Sequence, residues 1–341
     1  MKTLARLRHA LTRIGAVCAL TGLAAGASAQ TLCVYDPLGT GGDYYSLFQD
    51  YQLAAKRWGV TLDLKVYADD TPLRTAFLGG QCDAATMIGM RAREFNKFTG
   101  TLDAPGVLDN YNEVRESMLL MASPKLAKYM VSGGYEVVGV LPVGGSYAVV
   151  NDRHINSLAH AAGKRVTVME WDKTQSLFTE TFKAVPVPVE ASKYGATFNE
   201  GRADVSVAPI MVYKALEMSR GVGSKGGIVR RAMFELTMQV VTHADRFPPG
   251  YGQQSREYLA GQSEHALGII RNLENSIEPS VWIYAMHSEL AEWDETMRAA
   301  LASLVKSGYF DERMLNLLKR IRCKNDVAQP ECGPAPAAPA Q

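Results

Sequence analysis

No stretch of this 341-residue chain reaches the roughly 20 uninterrupted apolar residues of a membrane-spanning helix. Neither charge is in surplus: 36 Lys+Arg stand against 35 Asp+Glu. Without a basic excess there is no surface for phosphates, and nucleic acid is excluded as a partner. Histidine is scarce, with six residues scattered at positions 9, 154, 160, 243, 265 and 287 and no H-E-x-x-H or H-x-H spacing. No cysteine pair has C-x-x-C spacing, so a zinc site is disfavoured and neither metal nor cofactor is expected. Gly144-Gly145-Ser146-Tyr147 falls short of the G-x-S-x-G nucleophile elbow. Gly39-Thr40-Gly41-Gly42-Asp43 has neither the Lys-Ser/Thr of a P-loop nor a G-x-G-x-x-G frame. The chain is therefore not read as an enzyme. What it has is 47% hydrophobic residues at a net charge of +1, which excludes disorder for most of its length and allows two lobes with proper cores.

The few charges are unevenly placed. Lys2, Arg6, Arg8 and Arg13 precede an apolar run over residues 14–25, which closes on Ala27-Ser28-Ala29. This is the pattern of a secretory signal peptide cleaved before Gln30; an uncleaved anchor helix is the alternative, but the run is short for a bilayer. Removing residues 1–29 leaves 32 bases against 35 acids, a mildly acidic body expected in the periplasm as a soluble monomer. That body holds four cysteines, Cys33, Cys82, Cys323 and Cys332, and an even count in an exported protein permits two disulfides in three connectivities.

Periodicity alternates between strands and helices. Residues 31–35 form a strand, a helix carries Leu47, Tyr51, Leu53, Ala54 and Trp58 up to Gly59, and 60–67 is a second strand. A helix capped at Asp70 or Thr71 and a small-residue strand over 82–87 follow, which makes a parallel sheet. A 2-1-3 strand order would set Cys33 beside Cys82, and Cys323 and Cys332 would close a local loop. Later come a β stretch over 137–150 interrupted by Pro142, Gly144 and Gly145, and a short helix over 155–165. Strands are read at 166–169, 185–189, 205–208 and 236–242. Beyond these only helices are predicted, over 255–274, 280–307 and 311–322, with Met286, Leu290, Trp293, Met297, Leu301 and Leu304 on one core-facing stripe. The Pro/Ala-rich residues 333–341 read as a disordered tail.

Asn156-Ser157-Leu158, Gly163-Lys164-Arg165-Val166, Val185-Pro186-Val187-Pro188-Val189 and Asn199-Glu200-Gly201-Arg202-Ala203-Asp204 resemble the second lobe of TRAP-transporter (DctP-like) solute receptors. The first lobe, with Cys33-Val34-Tyr35-Asp36-Pro37, Cys82-Asp83 and residues 91–100, is similar to a narrower group of solute-binding proteins. Some of that group are linked by name to RND efflux and aminoglycoside resistance. The resemblance implies an α/β, two-lobe type II periplasmic-binding-protein fold, each lobe a small, mostly parallel sheet flanked by helices, with a helical C-terminal region. The expected lobes are 30–147 plus 243–332 and 148–242, with chain crossings near 146–151 and 236–243. It also implies a receptor that captures a small polar organic solute and delivers it to a membrane permease, TRAP-type or other. A periplasmic accessory protein on the same scaffold, attached to an efflux or envelope assembly, is the alternative. TRAP receptors clamp a ligand carboxylate with an Arg in the strand after the "G-k" motif. Counting from Gly163 puts Thr167 or a neighbour there, with Arg165 reachable by a shift.

A solute receptor needs polar groups at the carboxyl ends of strands. In the first lobe these are Asp36, Thr40, Asp43, Tyr44, Tyr67, Asp69, Met90, Arg91 and Arg93. In the second they are Glu170, Trp171, Asp172, Gln175, Pro209 and Tyr213. Arg91 and Trp171 lead the set, since a guanidinium can hold an anion bidentately and an indole can stack on a planar or cationic ligand.

Overall fold

The computed structural model describes residues 29–285 and 287–333. The expected signal peptide up to residue 28, Met286 and residues 334–341 of the expected tail lie outside the described residues. The chain opens as β1 (Gln30–Tyr35), α1 (Asp43–Lys56), β2 (Leu62–Tyr67), α2 (Asp70–Leu78) and β3 (Ala84–Ile88), then α3 (Gly89–Ala92), α4 (Lys97–Gly100) and α5 (Tyr111–Met121). It continues through β4 (Val131–Ser132), β5 (Tyr135–Val150), β6 (Arg165–Met169), α6 (Lys173–Thr181), β7 (Val185–Val189), α7 (Tyr194–Asn199), β8 (Val205–Pro209), α8 (Ile210–Ala215) and α9 (Ser219–Val222). The remainder is β9 (Gly227–His243), α10 (Tyr251–Gly261), α11 (Ser263–Asn275), β10 (Trp282–Ile283), α12 (His287–Lys306) and α13 (Glu312–Asn325).

The strands join in the order β2-β1-β3-β9-β5-β8-β6-β7. Each half has the expected parallel triplet, β2-β1-β3 and β8-β6-β7. They are not two separate small sheets, however. The long strands β5 and β9 run antiparallel to each other through the middle, β9 joining β3 and β5 joining β8, so one mixed sheet spans the molecule. The β stretch expected to break at Pro142, Gly144 and Gly145 stays continuous. Its irregularities become register shifts between Val137 and Val149, one of them at Gly144, whose φ of +96° suits a residue without Cβ. Pro186 and Pro188 are tolerated in β7 because it is an edge strand, where a missing N–H breaks no ladder on its open side.

Three further expectations are corrected. Residues 155–165 form a single 3₁₀ turn at Ala159–Ala161 rather than a helix. The helix expected over 255–274 is two helices meeting at Gln262. The region after β9 is not purely helical, because Trp282–Ile283 pairs with Ile228–Val229 of β9. Trp293, Met297 and Leu304 of α12 are buried, as the stripe predicted. Leu53, in contrast, is 60% exposed while Leu47, Phe48, Tyr51 and Ala55 form the buried face of α1.

Both expected disulfides are formed. The 2-1-3 order brings Cys33 and Cys82 to a Cα separation of 5.8 Å, and Cys323 and Cys332 stand 5.4 Å apart. The core runs along the sheet and under α1, α2, α5, α10 and α12, and a smaller cluster around Tyr194, Phe198, Tyr213 and Trp282 fills the second half. Each fully buried Leu or Phe in these clusters contributes about 1.5–3 kcal/mol.

Candidate functional site

The carboxyl ends of the parallel strands in both halves face one another, and three of them end in an aspartate. After β1, Asp36 accepts hydrogen bonds from the backbone N–H groups of Leu38 and Tyr45 at 2.9 and 3.0 Å. After β2, Asp69 accepts from Thr71 N–H at 2.9 Å. After β6, Asp172 accepts from the Thr174 N–H at 2.9 Å and its hydroxyl at 2.7 Å. Helix starts expose unpaired N–H groups, and these carboxylates occupy them. Burial pushes the Asp36 carboxyl above its usual range even though backbone N–H groups pull it down.

Between these strand ends lies a cavity of about 340 Å³. One wall is the β9 face of Phe234, Leu236 and Met238, joined by Val143 of β5. The second half contributes Met169, Phe178, Phe182, Val207 and Met211, and the first half Tyr35, Ile88 and Met90. Its polar atoms come from Asp69, Ser146, Gln175, Thr179 and a few hydroxyls, and among the described residues no Arg, Lys or His lines it. The Tyr194 hydroxyl is already used, donating to the carbonyls of Thr167 and Val207 at 2.9 and 3.0 Å. Thr167 donates to Ser206 at 2.9 Å across β6 and β8. Arg165 does not enter the cavity: it sits exposed at the opposite end of β6, pairs with Asp204 at 2.8 Å and holds that carboxyl down at about 2.

A wider, polar depression of about 680 Å³ adjoins the cavity through Met90 and contains Arg91, Arg93, Glu170 and Trp171. Here the two halves grip each other. Arg91 is buried, ion-paired to Asp70 at 2.8 Å, and its guanidinium lies 3.5 Å from the centre of the Trp171 ring. Arg93 reaches Asp172 at 2.8 Å and donates to the Thr174 hydroxyl at 3.0 Å. Gln175 donates to the Met90 sulfur at 3.1 Å. The loop bearing both arginines is held from beneath by Asp103, which accepts from Met90 N–H, Thr237 N–H and the Thr237 hydroxyl. Burial pushes the Asp103 carboxyl up to about 7. Position 89 must be glycine, because a Cβ there would stand 2.4 Å from Asp103 Oδ1.

Of the residues expected at the site, Gln175 and Pro209 line the cavity, together with Asp69 and Met90. Arg91, Arg93, Glu170 and Trp171 gather in the depression beside it. The others stand apart. Asp36 caps its turn, Thr40 and Asp43 are exposed, and the Tyr44 hydroxyl donates to the Pro142 carbonyl. Tyr67 lies half-buried under Lys65, and Tyr213 is in the second core cluster. The methionine and phenylalanine lining was not foreseen. Its trace in the sequence is the alternation of Phe234, Leu236 and Met238, which marks a buried strand face but not what it faces.

A family model described as "Solute-binding protein AdeT 1/2" matches residues 52–335. The "Probable solute-binding protein AdeT1" of Acinetobacter baumannii is 39% identical over 88% of this chain and 98% of its own length. The fold is that of TRAP periplasmic solute-binding proteins. One from Ralstonia eutropha with bound (S)-2-acetolactate superposes with a TM-score of 0.71 at 11% identity, covering 87% of this chain and 99% of that one. One from Rhodoferax ferrireducens with bound malonate gives 0.69 at 11% identity, covering 87% and 100%. This chain thus belongs to the AdeT 1/2 family of solute-binding proteins.

Proposed function

We propose that the protein is an extracytoplasmic receptor that captures a small organic solute between its two lobes and hands it to a membrane transporter. The observation that carries this reading is the cavity bounded by strand ends of both halves, where open α/β sheets take their ligands. The cleft holds about 340 Å³ of open space rather than interdigitated side chains, which favours a receptor over an accessory protein on the same scaffold. The bound acetolactate, malonate and orotate of the TRAP structures support solute capture as the use of this fold. The lobes divide within β5 and β9, and the hinge is the irregular stretch from Pro142 to Val149 with the paired segment from Ile228 to Thr237. Closure over a ligand stabilises the shut state by differential affinity. Native mass spectrometry of the protein purified from the periplasm should find a retained small molecule, and adding it back to stripped protein should raise Tm. A protein that retains nothing and does not respond to periplasmic extract in a thermal-shift assay argues for the accessory role instead.

A further inference from the structure

We infer that the solute taken by this cavity is a compact, mainly apolar molecule without negative charge, an inference that rests on the receptor reading above. Two independent features of the site point the same way. The first is the lining: methionines 90, 169, 211, 233 and 238 with phenylalanines 178 and 234, and no Arg, Lys or His among the described residues. A carboxylate moved into such surroundings loses its hydration and meets no cation to compensate, a cost of several kcal/mol that binding would have to overcome. The arginines nearest the cavity are committed, Arg91 to Asp70 and the Trp171 ring and Arg93 to Asp172 and Thr174, while Lys97 and Lys173 line the adjoining depression and not the cavity. Arg165 is paired with Asp204 at the far end of its strand.

The second feature is the helix starts. An anion can be held without a basic side chain by the free N–H groups of a helix N-terminus. Asp36, Asp69 and Asp172 accept those N–H groups at the starts of α1, α2 and α6, while α8, whose start at Pro209 borders the cavity without a side-chain cap, is only six residues long. An incoming anion would find a carboxylate already at the starts of α1, α2 and α6, so the same devices that could attract it there repel it. What remains favourable is dispersion with the polarisable thioethers and rings, and single hydrogen bonds to Gln175 or Ser146. Asp69 at the rim tolerates a positive charge on the ligand.

N-phenyl-1-naphthylamine, a neutral apolar dye whose emission rises out of water, tests this on the whole mature protein freed of any retained molecule. Saturable one-to-one binding is expected, undisturbed by excess malonate. Met211 is half-exposed on α8, so substitutions there preserve the fold, which circular dichroism checks. Leu119→Lys, on the exposed face of α5 away from the cavity, should bind as the wild type does, while Met211→Lys should weaken the dye about tenfold or more by putting an ammonium against the apolar wall. Dye binding unchanged by Met211→Lys would place it on the surface and overturn the inference. So would malonate binding or displacing the dye, which leaves the receptor reading intact with a different ligand class. If neither dye nor malonate binds and native mass spectrometry finds nothing retained, the receptor reading fails and this inference with it.

Discussion

Glu235 is fully buried on the face of β9 that points away from the cavity, and its Oε2 has no hydrogen-bond partner. Burial, reinforced by Glu274, Asp109, Asp103 and Glu113, pushes its carboxyl from 4.5 up to about 8. The folded state therefore holds a proton that the unfolded chain releases. This contribution to stability is fully present below about pH 4.5 and is lost as pH rises through about 8. Glu235→Gln keeps the shape and removes the ionisation. Its Tm relative to wild type should rise by several degrees between pH 5.5 and pH 8.5, read by calorimetry. A constant difference across that range would show that Glu235 does not titrate there. The carboxylates at the helix starts are a different use of the same residue type. They accept from N–H donors, whereas Glu235 lies in a pocket with Glu274, Tyr111, Tyr147 and Arg231 and its Oε2 accepts no hydrogen bond.

The β1–β3 pair shows how an element depends on a link made elsewhere in the chain. Leu32 and Cys33 pair with Ala84 and Ala85, and the disulfide to Cys82 locks that register across 49 residues of sequence. In the chain-entropy model such a loop contributes roughly 4 kcal/mol by restricting the unfolded chain. Replacing Cys33 and Cys82 together by Ala should lower the free energy of denaturant unfolding by about that much and raise the slope per molar, because the unfolded chain without the crosslink exposes more surface. A loss below about 1 kcal/mol would mean that strand pairing alone defines the register. β3 deserves this reinforcement because it ends in Gly89, the joint from which Met90, Arg91 and Arg93 are projected towards the second half.

The molecule as a whole is a single sheet bent into two lobes, and the contacts across the cleft are few and specific. Arg93 with Asp172 is the clearest, at side-chain exposures of 12% and 3%. Removing a hydrogen-bonded charge from so buried a pair costs about 1.5–3 kcal/mol. Arg93→Ala should therefore shift the lobes towards the open form, seen as a larger radius of gyration in X-ray scattering, and weaken solute affinity by a similar amount. Arg74→Ala is the control, since its pair with Glu94 is exposed and lies within the first half, where such pairs contribute under about 1 kcal/mol. Equal effects from both variants would rule out a clasp at Arg93.

Local chemistry was legible in the residues themselves. Strand and helix periods, the 2-1-3 order and both disulfides follow from spacing, because each involves neighbours in sequence or a parallel-sheet rule, whereas the helix after β2 is capped by Asp69 rather than by the expected Asp70 or Thr71. The continuity of β5 through Pro142 and Gly144 was not legible, since its hydrogen bonds come from β9 about a hundred residues later. The same distance hid the fate of the arginines. Sequence alone offers Arg91 and Arg93 to a ligand, but Arg91 is ion-paired to Asp70 within its own half, and Trp171 and Asp172 of the second half reach the two arginines only across the cleft. The cavity's character is likewise a property of assembly: Met90, Phe178, Met211 and Phe234 each look like ordinary core residues on their own elements. Folding leaves them around open space because strands from two halves end there without a helix to fill the gap. The sequence by itself determined which faces are apolar, and only the tertiary structure decided that several of them share one cavity, because the strands that carry them meet there only once both halves are folded.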